Sequence, residues 1–119
     1  MATRYLASSI LLYQSKEYIE YVRLANYLFP NDVIVAARGL YKDTKDWIER
    51  WDDEKSQYDE VLLAGYDGWI GRGALTEAQD IGKARILCTT CITAHPFMLT
   101  NEIGNDFTRF RKLMYSCKA

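Results

Sequence analysis

Glu77 closes the stretch of the chain whose residue types and spacing most suggest chemistry. Residues 61–77 read VLLAGYDGWIGRGALTE: an apolar run, a turn punctuated by Gly68, Gly71 and Gly73, then a helix start bearing the carboxylate. Strand, glycine loop and helix N-terminus is how α/β proteins build anion and nucleotide sites. Glycines in such a loop supply unusual backbone angles and exposed N–H groups. The spacing matches neither G-x-G-x-x-G nor G-x-x-x-x-G-K-[ST], so a structural turn is an equal reading of the loop. A glutamate in the first helical turn is expected to be held ionised by the positive helix end, as a nucleophile must be. The same preference accounts for many structural glutamates.

Other residues compete for a role. Ser8 and Ser9 end an apolar run, where small side chains let another group approach the backbone; tight packing against a helix explains them equally well. Arg38, Tyr41 and Arg72 could meet and read a phosphate, or pair with nearby acids. Cys88 and Cys91 have C-x-x-C spacing but follow a strand instead of preceding a helix, against a redox motif. With one histidine, His95, and no second cysteine pair, no metal site is expected. Ser8 and Ser9 lack a nucleophile elbow, so serine hydrolysis is not expected.

Short strands alternating with helices must position these residues. A first strand starts at Arg4 and ends near Ser8. A helix spans 15–29, capped by Ser15, with Tyr18, Val22, Ala25 and Phe29 as its apolar stripe and Ile19 and Leu28 widening it. Residues 33–37 form a second strand, and a helix capped by Asp43 or Thr44 runs to about Ser56 with Trp47, Ile48 and Trp51 on one face. Its charged residues read as a solvated face. Strand three is 61–64. Ala74, Leu75, Ala78 and Ile81 mark the third helix, and 84–89 a fourth strand. Residues 91–101, with His95-Pro96, read as loop, and a last helix fits 103–115. This order predicts one α/β domain over 1–119: a small open parallel sheet of about four strands, order 2-1-3-4, flanked by helices in a flavodoxin/Rossmann-like arrangement. Ligands in such sheets bind at the carboxyl ends of the strands where the order reverses, which brings Ser8-Ser9 and the loop at 67–73 together.

Composition agrees. The chain has 119 residues, 49% hydrophobic and 26% charged, as in ordinary globular domains. A net charge of -1 argues against a duplex nucleic-acid partner. No apolar run approaches the roughly 20 residues of a membrane span. The N-terminal apolar run lacks a cleavage site and reads as a strand, not a signal peptide. Three cysteines are too few and odd in number for a disulfide scaffold, so a cytoplasmic setting is expected.

Several motifs combine into a resemblance. The first strand reads Tyr5-Leu6-Ala7-Ser8-Ser9; Asp46 lies in DTKDWIERWDD at the start of the helix before the third strand; and Gly73-Ala74-Leu75-Thr76-Glu77 precedes a small-residue helix and the strand ARILC. From Arg4 to about Cys88 the chain resembles the superfamily of nucleoside 2-deoxyribosyltransferases and 2'-deoxynucleoside 5'-phosphate N-hydrolases. The resemblance implies cleavage or transfer at the N-glycosidic bond of a (deoxy)nucleoside or nucleotide, without a cofactor. Glu77 would attack the anomeric carbon and water or a second base would resolve the glycosyl-enzyme. Asp46 would bind a sugar hydroxyl or assist proton transfer, and Ser8, Ser9 and the loop glycines Gly71 and Gly73 would hold sugar or phosphate oxygens. Trp69 or Trp47 would stack on the base, core packing being the better reading of Trp47. The resemblance also implies a homodimer. Transferases carry an aspartate six residues before the glutamate; here that residue is Gly71, and Asp67 would substitute only if the loop folds back. Two residues after the glutamate, where a glycine is common, stands Gln79.

Two other functions fit the same elements. One is a non-catalytic module that binds a nucleotide or a nucleotide-derived signal. The other is a structural or partner-binding protein.

Overall fold

In the computed structural model, which describes residues 1–65 and 70–97, the apolar run after Asp59 forms β3 (Glu60–Ala64), buried at every position. A strand covered on both faces reads as a continuous apolar run, as central parallel strands do. β1 (Thr3–Ser8) lies on one side of it in parallel register, Tyr5 opposite Val61 and Ser8 opposite Ala64. β2 (Val33–Ala36) pairs with the far edge of β1, and β4 (Ala84–Cys88) with the far edge of β3, both parallel.

The sheet has a fifth strand. β5 (Thr93–Phe97) runs antiparallel to β4, with Ile86 opposite His95 and Cys88 opposite Thr93. The sheet order is therefore β2-β1-β3-β4-β5, mixed and mostly parallel. The expectation of a loop over 91–101, and of a purely parallel sheet, is corrected for its first part. Pro96 lacks an N–H, which an edge strand tolerates, and its exposed position on β5 fits that rule.

Side chains alternate across the sheet and build two cores. Tyr5, Ala7, Val61, Leu63 and Ile86 face α3 (Thr44–Glu54) and α4 (Arg72–Ile81), meeting Trp51, Leu75 and Ala78. Leu6, Leu62, Ala64 and Leu87 face α2 (Glu17–Leu28), meeting Tyr18, Tyr21, Leu24 and Ala25. The result is an α/β protein with helices on both sheet faces. Tyr5, Trp51 and Tyr58 form an aromatic centre, the Tyr5 ring 5.1 Å from Trp51 and 4.7 Å from Tyr58.

The helices depart from expectation in register. The chain leaves β1 through a short helix, α1 (Ile10–Tyr13), and α2 begins at Glu17 with Lys16, not Ser15, at its N-cap. Its buried stripe includes Tyr21 and Leu24, while Ile19 is 54% exposed. Tyrosine buries its ring as readily as an aliphatic residue, and that rotates the apolar face. Asp43 caps α3, its side chain accepting the Asp46 N–H at 2.8 Å. Trp51 is buried, Trp47 half-buried and Ile48 exposed. The helix expected over 103–115 lies outside the described residues.

Candidate active site

The carboxyl ends of β1 and β2 and the first turns of α3 and α4 surround an open cleft of about 700 Å³. It lies where the strand order reverses between β1 and β3, as such sheets place their ligands. Ser8 and Ser9 come from the end of β1, Gly71 and Gly73 from the start of α4, and Tyr5 and Glu77 also line it.

Glu77 is 6% exposed. Its Oε2 accepts the indole N–H of Trp47 at 3.1 Å. Burial pushes its pKa from 4.5 up to about 7; the Tyr5 phenol and the Trp47 N–H oppose that rise, and Asp80 adds to it. The carboxyl therefore keeps its proton to a higher pH than its place in the sequence suggests. The reason is local. α4 starts at Arg72, so Glu77 stands in the second turn and no acid occupies the first. Desolvation then outweighs a helix end whose influence fades beyond one turn.

Phenols ring the carboxyl. Burial, and then Glu77 itself, raise the pKa of Tyr5 strongly and that of Tyr13 to about 12. Both stay protonated, and the Tyr5 hydroxyl donates to the Glu77 carboxylate. Tyr41 lines the cleft but donates its hydroxyl to Glu54 at 2.7 Å.

Ser8 is 7% exposed, and its buried Oγ has no hydrogen-bond partner among the described residues, although it is near enough to the Tyr13 phenol to favour that group's ionisation. A buried hydroxyl in this condition has bonding capacity for a ligand. Close by, α4 opens without a side-chain cap. Its first intrahelical bond is Leu75 N to Gly71 O at 3.1 Å, which leaves the amides of residues 72–74 without helical partners. Arg72 and Lys42 stand exposed at the rim.

Gly71 has a packing role. A Cβ there would come within 2.9 Å of the Ser9 Cβ and 3.1 Å of its Cα, so only glycine lets the start of α4 close on the end of β1. At Gly73 an added Cβ would meet nothing within 4 Å.

Other expected residues lie elsewhere. Asp46 does not line the cleft; it accepts the Lys42 N–H at 3.0 Å and pairs with Arg50 at 3.2 Å. The Lys42 N–H, foremost, holds its carboxyl below the usual range. Asp43, one turn earlier, lines the cleft instead. Arg38 donates to the Tyr13 carbonyl at 3.3 Å and lies 5.0 Å over the Tyr18 ring, so it does not join Arg72 and Tyr41. Asp67 and Trp69 lie outside the described residues. Sequence reasoning missed Tyr13 and Asp43 as cleft residues, and it missed Trp47 as the donor to Glu77. Trp47 and Glu77 are 30 residues apart, and no local pattern joins them.

Comparison with known proteins yields no relative: no family model, curated protein or solved structure matches the chain.

Proposed function

We propose that the protein cleaves the N-glycosidic bond of a (deoxy)nucleoside or nucleotide, with Glu77 as nucleophile. The observation that carries this reading is the burial of Glu77, clamped by Trp47, in an aromatic cleft at the strand ends that Ser8 also lines.

The sugar sits over Glu77 and the base against the aromatic wall. The ionised carboxylate attacks the anomeric carbon, the base departs with the bonding pair and takes a proton from water, and a second water hydrolyses the glycosyl ester. Tyr5 and Trp47 hold the carboxylate at the angle of attack. Ser8 Oγ and the open amides of α4 bind sugar or 5'-phosphate oxygens, with Arg72 and Lys42 neutralising a phosphate. Asp43 has one carboxylate oxygen tied to Asp46 N–H and the other to offer a hydroxyl. Asp46 takes no part. The chemistry needs no cofactor, and the active form is a homodimer.

The test is release of free base from deoxynucleosides and their 5'-monophosphates, by the native protein and by Glu77→Gln. Release that rises with pH through about 7 and vanishes in the variant supports the nucleophile reading. A second reading has its own support: a neutral Glu77 donates a hydrogen bond, which suits a module that binds a nucleotide without cleaving it. Calorimetric binding of a nucleoside monophosphate with no base release would select that reading.

A further inference from the structure

Cys91 and His95 belong to a cluster that the cleft does not use. Thr93 and His95 lie two residues apart on one face of β5, where alternation along a strand places them side by side. The turn over 89–92 that joins β4 to β5 ends at Ile92, whose φ is 55°. A β-branched residue in this left-handed region is an outlier and marks a backbone held by its surroundings. The twist brings Cys91 back over the strand. Its Sγ lies 2.9 Å from Thr93 Oγ1 and 3.7 Å from His95 Nε2, and Thr93 Oγ1 lies 2.8 Å from the same nitrogen. Thiol, hydroxyl and imidazole thus lie within reach of one another, all three half-buried.

The geometry points to Cys91 as a thiol-modification site that takes small-molecule disulfides. With Thr93 accepting from the thiol and donating to the His95 nitrogen, the direction the relay uses, the thiol proton passes to the imidazole and leaves a thiolate beside an imidazolium. The thiolate attacks one sulfur of the disulfide. A mixed disulfide forms on Cys91, the original S–S bond breaks, and the other half departs as a thiolate that takes the proton from His95. Cys91 is oxidised and the departing half is reduced. A metal is the weaker reading, because among the described residues no three His, Cys, Asp or Glu side chains gather as a ligand set. Cys88, fully buried in β4, serves as an internal reference.

The experiment treats the whole chain, in a Cys117→Ser background, with oxidised glutathione near pH 7 and maps adducts by peptide mass spectrometry over time. The expected result is reaction at Cys91 about tenfold faster in the folded protein than in the urea-unfolded chain, with Cys88 silent while folded. His95→Gln and Thr93→Val should bring the folded rate down to the unfolded one, and Thr93→Ser, which keeps the hydroxyl, should restore it. Circular dichroism reports folding of each variant, and if His95→Gln does not fold, the Val and Ser variants of Thr93 decide. A folded rate no higher than the unfolded one, or equal rates for Thr93→Val and Thr93→Ser, would overturn the proposal.

Discussion

Glu77 is costly to keep ionised, and the cost can be measured as a dependence of stability on pH. Its folded pKa of about 7 lies above the ordinary 4.5. The folded state therefore holds the proton more tightly, and stability is fully present below about 4.5 and falls as pH rises towards 7. A shift of this size corresponds to roughly 3 kcal/mol. Glu77→Gln has no charge to desolvate, so it should abolish base release yet be more stable than the native protein at pH 7.5 and lose that advantage near pH 4. Urea titrations of both proteins at the two pH values give the difference. An advantage that does not vary with pH would contradict the assignment. Gly71 makes the opposite point. The sequence resemblance suggests an aspartate missing from this position, but Gly71→Asp should destabilise by about 1–3 kcal/mol through the clash with Ser9, without raising activity. The place of Glu77 in a cleft at the strand ends was legible from its position after a glycine loop. Its protonation was not, because burial by Tyr5 and Trp47 is a tertiary fact.

Among the elements, α3 and α4 meet through two rungs. Trp47 donates to Glu77 at 3.1 Å, and Trp51 donates to Asp80 at 2.8 Å. The donors are four apart on one helix and the acceptors three apart on the other, so each pair shares a helix face. The rungs differ in surroundings, since Glu77 is buried and Asp80 is exposed. Trp47→Phe should raise the Glu77 pKa further by removing a donor that favours the anion, whereas Trp51→Phe should leave it nearly unchanged. A carbon-13 titration of the Glu77 carboxyl would read both, and equal effects would refute the distinction. Each substitution should cost about 1 kcal/mol, the usual net value of one hydrogen bond. The four parallel strands and their order were legible because apolar runs separated by amphipathic helices admit few topologies. β5 was not, because His95-Pro96 resembles loop composition, and only pairing with β4 reveals its alternation. The stripe on α2 differs from the expected one in that Tyr21 and Leu24 are buried where Ile19 was expected to widen the face.

At the scale of the molecule, the two ends of the sheet do different work. The carboxyl ends stay open as the cleft. The amino ends are closed by ions: Glu60, only 1% exposed, lies between Arg4 and Arg85, whose Nε is 3.1 Å from both carboxylate oxygens, with Lys83 at 3.9 Å. Arg4 also pairs with Asp32 at 2.9 Å and lies 3.9 Å over the Phe29 ring, tying α2 and β2 to the strands. A buried carboxylate is tolerable only with such partners, and removing it leaves guanidinium groups in a space shaped for an anion. Glu60→Ala should therefore cost about 3–5 kcal/mol in urea titration. Lys83→Ala, whose side chain is 65% exposed, should cost less than about 1 kcal/mol. Because the network lies at the opposite strand ends from Glu77, Glu60→Ala should also leave the carbon-13 titration of Glu77 near 7 for as long as the protein remains folded. Movement of that value along with the lost stability would mean that the closed end positions the cleft. An unmoved value would mean that the parallel strands isolate one end of the sheet from the other.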